Sequence, residues 1–301
     1  MKMSRALSVL PFIALLAGCA GVSFEPPAVK WLSLLPSDSG IIIKARVRAV
    51  EPVLGSLFQA FSLSDKDAGE IIRRTRDIYL GIIESEEAMP DFSIILVGDF
   101  PQAAAALFTP AKGWKKNRSY WTHDETGIQI ALPEAAGRTS PHARALFVSR
   151  GHIEEMLKAF GSPGTAERAG LPTEAEKEFD VSDLVVYMPH PGKSGIAGSG
   201  VNLNQFPIKN IWFTLERTVE GGTDRYLVSG VFTLDTADRA GKFISLLKLL
   251  LLGIIKKENL DAIDSLKNDT FIRAEDEYVR LSGLRLEVSD LAKLMTAVTA
   301  P

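Results

Sequence analysis

The spacing of apolar residues along the chain predicts helices separated by short strands. In two segments, 153–160 and 291–298, apolar residues recur at the i, i+3, i+4, i+7 spacing of a helix with one apolar face. Ser149 and Ser289 precede these segments and are predicted N-caps. Short apolar runs between turn residues predict strands, and "SYWTHDETGIQIAL" and "TFIRAEDEYVRLSGL" predict hairpins.

The same order of predicted elements occurs twice. "LPSDSGIIIKARV" and "FDVSDLVVYMPHP" begin the two copies, and each copy continues with two strands, an Ala-containing helix, a hairpin, and a final strand and helix. This order predicts an α+β fold of two similar repeats, each a mostly antiparallel sheet with amphipathic helices packed on it. The predicted segments are a signal peptide (1–18), a lipidated N-terminus and tether (19–36), the first repeat (37–160), a connector (161–178) and the second repeat (179–301).

The most apolar run of the body is "FISLLKLLLLGIIKK", 243–257, with Asp235 as a predicted N-cap. Its apolar part, 243–255, would form a helix of about 20 Å, too short for ~30 Å of hydrocarbon, and Lys248 interrupts it. We therefore predict that it packs on the sheet rather than crossing a membrane. The predicted inner face consists of Phe243, Ile244, Leu246, Leu247, Leu250, Leu251, Ile254 and Ile255.

Two leucines remain on the outer half of this helix, Leu249 and Leu252, among lysines. Exposed leucines beside lysines suit an interfacial helix whose ammonium groups extend toward lipid headgroups, or a groove for a lipid or a protein partner. The lysines concerned are Lys242, Lys248, Lys256 and Lys257.

A second, shorter amphipathic stretch is "EPVLGSLFQAF", in which Pro52 suits a first helical turn. Packing in the core is the simpler interpretation of its apolar stripe, and contact with lipid or a partner is the alternative. The stripe consists of Leu54, Leu57, Phe58 and Phe61.

The N-terminus has the three zones of a secretory signal: Lys2 and Arg5, an apolar stretch, and the small residues of "LAGC" ending at Cys19. The motif is identified as the lipobox of bacterial lipoproteins, which implies that Cys19 is acylated and becomes the mature N-terminus. Cys19 is the only cysteine, so lipidation would leave no thiol for a disulfide, a metal or catalysis.

Composition and charge exclude some partners. With 46% hydrophobic and 24% charged residues the chain is globular, and it is mildly acidic at a formal charge of −3. Removing 1–18 takes away two of the 34 basic residues and leaves 37 acidic ones, so the charge becomes −5. A negative body argues against nucleic acid as a partner.

Catalytic motifs are scarce. "GKS" at 192–194 lacks the first glycine of a phosphate-binding loop, because position 187 is Tyr187. "GHIEEML" places His152 beside two glutamates without the second histidine that a zinc helix requires. We therefore predict no catalytic residues, no metal and no cofactor, although an enzyme assembled from distant segments would leave no local motif.

The lipobox, the repeated α+β body and the amphipathic helices together resemble a family of treponemal outer-membrane lipoproteins that permeabilise membranes through amphipathic helices. The resemblance concerns the layout of the mature chain, and "LAGC" is the only motif shared. It implies a periplasm-facing lipoprotein whose helices contact the inner leaflet of the outer membrane and bind lipid.

The sequence thus predicts a non-enzymatic, lipid-anchored envelope protein that binds membrane lipid through residues 236–257 and, secondarily, 51–61. The alternative is a scaffold or assembly lipoprotein that presents the same surface to an envelope protein. A hydrolase of envelope polymer is a third class and would need converging carboxylates or histidines. The predicted location is the outer membrane, facing the periplasm; the oligomeric state is left open.

Overall fold

The computed structural model of the protein describes residues 31–51, 69, 72–83, 91–133, 142–161, 171–191, 207–257 and 271–291. The described part combines helices with antiparallel strands, so the predicted α+β class is confirmed. The chain divides into two compact units, the first formed mainly by 58–169 and the second by 170–301 together with 40–45.

In the described residues of the first unit, six strands pair in the order β2-β3-β7-β6-β5-β4. Each of these pairings is antiparallel, and Phe100, Trp114, Ile130 and Leu146 lie in the core beside them. The strands are β2 (Thr75–Ile83), β3 (Asp91–Pro101), β4 (Trp114–Lys116), β5 (Trp121–His123), β6 (Gln129–Ala131) and β7 (His142–Ser149). The predicted hairpin of "SYWTHDETGIQIAL" is present as β5 and β6.

Helix α1 (Ile153–Gly161) closes the described part of this unit and buries Ile153 and Met156. It begins directly after His152, whose N–H donates to Ser149 Oγ at 3.1 Å. The predicted N-cap at Ser149 is therefore wrong, because the Ser149 hydroxyl binds the backbone of the loop before the helix. Ser289 is also not an N-cap, since it lies inside the helical stretch 288–291.

The Ala-containing segment after β3 differs from the predicted helix. It forms a 3₁₀ helix, Gln102–Leu107, rather than an α-helix. Pro101 precedes it and Pro110 follows soon after, so only a short helix, about two turns of 3₁₀ geometry, lies between the two prolines. Two further 3₁₀ helices in this unit are Trp31–Leu34 and Pro110–Lys112.

The part of the second unit that the structure describes has six strands in the order β1-β8-β9-β10-β12-β11, again paired antiparallel. They are β1 (Ile41–Arg46), β8 (Leu184–Met188), β9 (Ile208–Glu220), β10 (Thr223–Leu234), β11 (Ile272–Glu275) and β12 (Tyr278–Glu287). Its helices are α2 (Thr173–Val181) and α3 (Ala237–Lys257).

The turns of this unit follow from residues that tolerate positive φ. Gly221 and Gly222, with φ of 61° and 83°, join β9 to β10 in a two-residue turn of the kind that right-twisted hairpins favour. Asp276, with φ of 52°, turns β11 into β12, as the predicted hairpin of "TFIRAEDEYVRLSGL" requires.

Strand β1 and helix α2 both belong to the second unit. Strand β1, placed by the sequence in the first repeat, pairs with β8, and 40–45 belongs to the second unit. Helix α2 contacts β8 and covers the end of the predicted connector. Its buried residues Ala175 and Phe179 are four residues apart and so share one face of the helix.

Candidate functional site

Helix α3 begins one residue later than predicted. Its first turn is capped by Thr236, whose Oγ1 accepts from the N–H of Arg239 at 3.4 Å. The predicted N-cap, Asp235, is wrong, because its carboxylate instead accepts a hydrogen bond from the Arg239 guanidinium.

The inner face of α3 lies on β10, β11 and β12. Ala240, Phe243, Leu247 and Ile255 are buried there, and the rings of Phe243 and Phe232 approach with centroids 5.4 Å apart. Three other apolar residues are partly buried against the same cluster: Ile244, Leu246 and Leu251.

The outer face of α3 is organised around Leu249, whose side chain is 66% exposed. At 3.6 residues per turn, Lys242, Ser245, Leu252 and Lys256 all lie within about 60° of it around the helix. Leu252 is partly buried, so the two leucines do not contribute equally to this surface. We call the residues Lys242, Ser245, Leu249, Leu252, Gly253 and Lys256 the outer α3 surface.

Ile254 adds an apolar group that the sequence placed on the inner face. It is 40% exposed, so its predicted burial is wrong. It lies in the last turn of α3, beside Ile255, which is buried.

The charge of α3 is strongly positive, with five basic residues and one acidic residue among its 21. The acidic residue, Asp238, accepts a 2.6 Å hydrogen bond from Lys242 Nζ. No acidic residue follows it within the helix, while Lys248, Lys256 and Lys257 lie in the second half. Lys256 and Lys257 are in the last turn, where the negative end of the helix dipole stabilises positive charge. Positive charge is therefore concentrated beside Leu249 and toward the C-terminal end.

The remaining predicted site residues fall outside the described part of the chain. These are the lipidation site Cys19 and the second stripe, Leu54, Leu57, Phe58 and Phe61. Their roles stay predictions.

No described helix combines the length and the apolar character needed to cross a bilayer, as predicted for 243–255. Nor do the described His, Cys, Asp and Glu residues include a group of three placed to hold a metal ion.

Comparison with known proteins shows the fold of this chain. It is similar to crystal form I of TP0453, a treponemal lipoprotein, with a TM-score of 0.58 and 17% identity over 92% of this chain and 98% of that one. Crystal form IV of TP0453 gives a TM-score of 0.59 and 16% identity over 89% of this chain and 97% of that one. No protein-family model and no curated protein sequence matches the chain. At this identity the likeness supports the resemblance noted from the sequence at the level of the fold.

Proposed function

We propose that this chain is a lipid-anchored envelope lipoprotein, without enzymatic activity, that binds membrane lipid through the outer α3 surface. The observation that carries the proposal is an exposed leucine, Leu249, on a helix with a net charge of +4 in a chain whose net charge is −3. Cys19 would supply the acyl anchor, and 51–61 would be a secondary contact.

The energetic argument combines apolar burial with charge. Fully burying a leucine side chain contributes about 1.5–3 kcal/mol, and a lysine near an anionic membrane surface contributes about 1 kcal/mol. The acylated Cys19 would hold the chain at the membrane, and a second contact through α3 would add apolar burial at the interface. Lys256 and Lys257 are exposed and in position to contribute this charge.

The α+β layout and the likeness to TP0453 also support a lipoprotein located at the outer membrane and facing the periplasm. In both units a hairpin and a helix are followed by a strand that returns to the hairpin's second strand: β7 pairs with β3, and β12 pairs with β10. We infer from this order that the units are similar repeats with amphipathic helices.

Site-directed spin labelling of the full chain in vesicles tests the proposal. In the Leu249→Cys variant, a nitroxide would sit on the outer α3 surface, and acylation of Cys19 would leave no other thiol. In vesicles with anionic lipid, we expect oxygen to relax this label more strongly than a polar nickel complex does. Val219→Cys is a matched control, because Val219 is 67% exposed, against 66% for Leu249. A label at 249 as accessible to nickel as the one at 219 would overturn the proposal.

A second set of variants tests the leucines themselves. With the label at Ser245→Cys, the combined changes Leu249→Asp and Leu252→Asp should make the label accessible to the nickel complex. Insertion of the variant surface into lipid would require two charged carboxylates to be desolvated, so the helix should stay in water. Val219→Asp should leave the label at 245 unchanged.

A protein partner is the alternative use of the same surface. The exposed Leu249 beside charged residues is equally compatible with an apolar contact rimmed by polar groups. In cells, a photo-reactive group at position 249 would then crosslink to one defined envelope protein. Crosslinking to that protein, together with a water-accessible label in vesicles, would favour the alternative.

A further inference from the structure

The second unit contains a cleft on the sheet face opposite α3. Tyr226, Val228 and Phe232 of β10 belong to the core beneath α3, so the alternating residues Ser229 and Val231 point to the other side. Helix α2 lies against this other side through its contact with β8. Between α2 and strands β9, β10 and β12 there is a cleft of about 310 Å³.

The strand register builds the floor of this cleft. Val231 is paired with Trp212 on β9 and with Arg280 on β12, which places these three side chains in one row across the sheet. The next row pairs Ser229 with Thr214. Residues far apart in sequence are thus brought to one surface by pairing alone.

Three hydroxyl groups line the cleft, those of Thr214, Ser229 and Ser282. Within the described part of the chain, none of them has a hydrogen-bond partner in the protein. Each hydroxyl can donate one hydrogen bond and accept two. Thr214 is 7% exposed and lines the cleft, so its hydroxyl is in position to bind a ligand there.

The charges at the rim are balanced. The Arg280 guanidinium pairs with Glu174 of α2 at 3.1 Å and with Glu275 of β11 at 2.8 Å. Arg273 pairs with Glu275 at 2.9 Å, and Glu178 accepts a hydrogen bond from Ser182. Lys177 of α2 also lines the cleft. Three basic residues (Lys177, Arg273, Arg280) then stand beside three carboxylates (Glu174, Glu178, Glu275), and this balance of charge favours an uncharged ligand over an anion.

We propose that this cleft binds a neutral sugar of one or two rings. Trp212, which is 3% exposed, lines the cleft with Val231 and Leu281 and gives it an apolar floor for the C–H groups of a sugar. The three hydroxyls and the Arg280–Glu174 pair offer donors and acceptors for the hydroxyl groups of the sugar. The volume lies at the lower end of the ~300–1,000 Å³ typical of small-molecule sites. This site is separate from the outer α3 surface, and its occupancy does not depend on the proposed lipid contact.

Saturation-transfer difference NMR on the full chain tests the proposal. The protein is held in micelles of a detergent without a sugar headgroup, and maltose, cellobiose and the disaccharide of N-acetylglucosamine are added in turn, with inorganic phosphate as the charged comparison. We expect at least one disaccharide to show saturation transfer and phosphate not to compete with it. No transfer to any of the three, or competition by phosphate alone, would overturn the proposal.

The variants identify the cleft as the binding site. Thr214→Val and Ser282→Ala each remove one hydroxyl and should weaken binding about three- to tenfold. Ser229→Leu should abolish it by filling the space. Thr218→Val is the matched control: Thr218 lies on the same strand and face as Thr214 but does not line the cleft, so binding should be unchanged. Equal affinity in all four variants, each with the unfolding transition of the parent chain, would contradict the assignment.

Discussion

Lys44 Nζ donates a 2.6 Å hydrogen bond to the backbone carbonyl oxygen of Ser182, the residue that ends helix α2. Lys44 is only 2% exposed, so its ammonium group is held away from water. A cation at the C-terminal end of a helix is stabilised by the carbonyl groups there, which lessens the cost of burying it. The contact joins strand β1 to the end of α2 within the second unit.

Lys44→Met should lower the free energy of unfolding by about 1–2 kcal/mol, because methionine fills a similar volume but leaves the Ser182 carbonyl without this donor. Urea denaturation followed by circular dichroism measures the change. Lys209→Met, at an exposed position on β9, is the control and should stay within about 0.5 kcal/mol of the parent. Equal effects of the two substitutions would show that the buried contact contributes nothing.

Gly230→Ala should destabilise the second unit by about 1–3 kcal/mol. A Cβ at this position of β10 would lie 2.6 Å from Phe213 Cδ1 and 2.8 Å from Cε1, so the ring would have to move out of the core beneath α3. Thermal unfolding should show a lower Tm.

Gly253→Ala is the comparison for this change, and its expected effect has the opposite sign. A Cβ at 253 would have no neighbour within 4 Å, and alanine favours a helix over glycine by about 0.5–1 kcal/mol. If both substitutions lowered the Tm equally, the close approach at Gly230 would not be the cause.

Hairpins and helices were predictable where their signals are local. The glycines at 221 and 222 and the acidic turn at Asp276 are local sequence signals for turns. The apolar periodicity that predicts α1 and α3 likewise lies within each helix. The i, i+4 spacing of Ala175 and Phe179 is a local signal for helix α2. Because the rest of "TEAEKEFDV" is mostly polar, the sequence predicts a connector over most of this segment.

Long-range pairing was not predictable. Nothing in "IIIKAR" indicates that β1 pairs with β8, about 140 residues later, because a strand's own sequence does not identify its neighbour. The same limit applies to the cleft, since Thr214, Ser229 and Ser282 come together only through the register of three strands. At α3 the sequence indicated an exposed Leu249, but the partial cover of Leu252 and the exposure of Ile254 depend on how the helix meets the sheet.

Alkaline pH should destabilise the chain through Tyr226. Burial raises the pKa of this phenol from 10.0 to about 12; Arg217 opposes the shift, and Asp224 and Asp183 add to it. Between these pH values the unfolded chain loses the Tyr226 proton while the folded chain keeps it. The stability that this residue contributes is therefore fully present below pH 10 and is lost as the pH rises toward 12.

Urea unfolding of the parent chain and of Tyr226→Phe at pH 8, 9, 10 and 11 measures this dependence. Phenylalanine has no proton to lose, so the free energy of unfolding of the variant should fall less steeply above pH 10. Parallel curves for the two proteins would contradict the contribution of Tyr226.

Arg280→Lys should loosen α2 from the sheet. The Arg280 guanidinium contacts Glu174 of α2 and Glu275 of β11 together, whereas a lysine ammonium cannot reproduce this forked geometry. With Arg280 side-chain exposure of 27% and Glu174 exposure of 57%, we expect a loss of about 0.5–1 kcal/mol, and hence about two- to fivefold faster hydrogen exchange of the α2 amides.

Arg273→Lys is the matched control for this change, because Arg273 pairs with Glu275 on its own strand and this ion pair does not involve α2. It should leave exchange in α2 unchanged. Faster exchange in Arg280→Lys alone would mean that the pair with Glu174 holds α2 over the cleft. Equal exchange in both variants would mean that the buried Ala175 and Phe179, rather than the ion pair, fix the helix there.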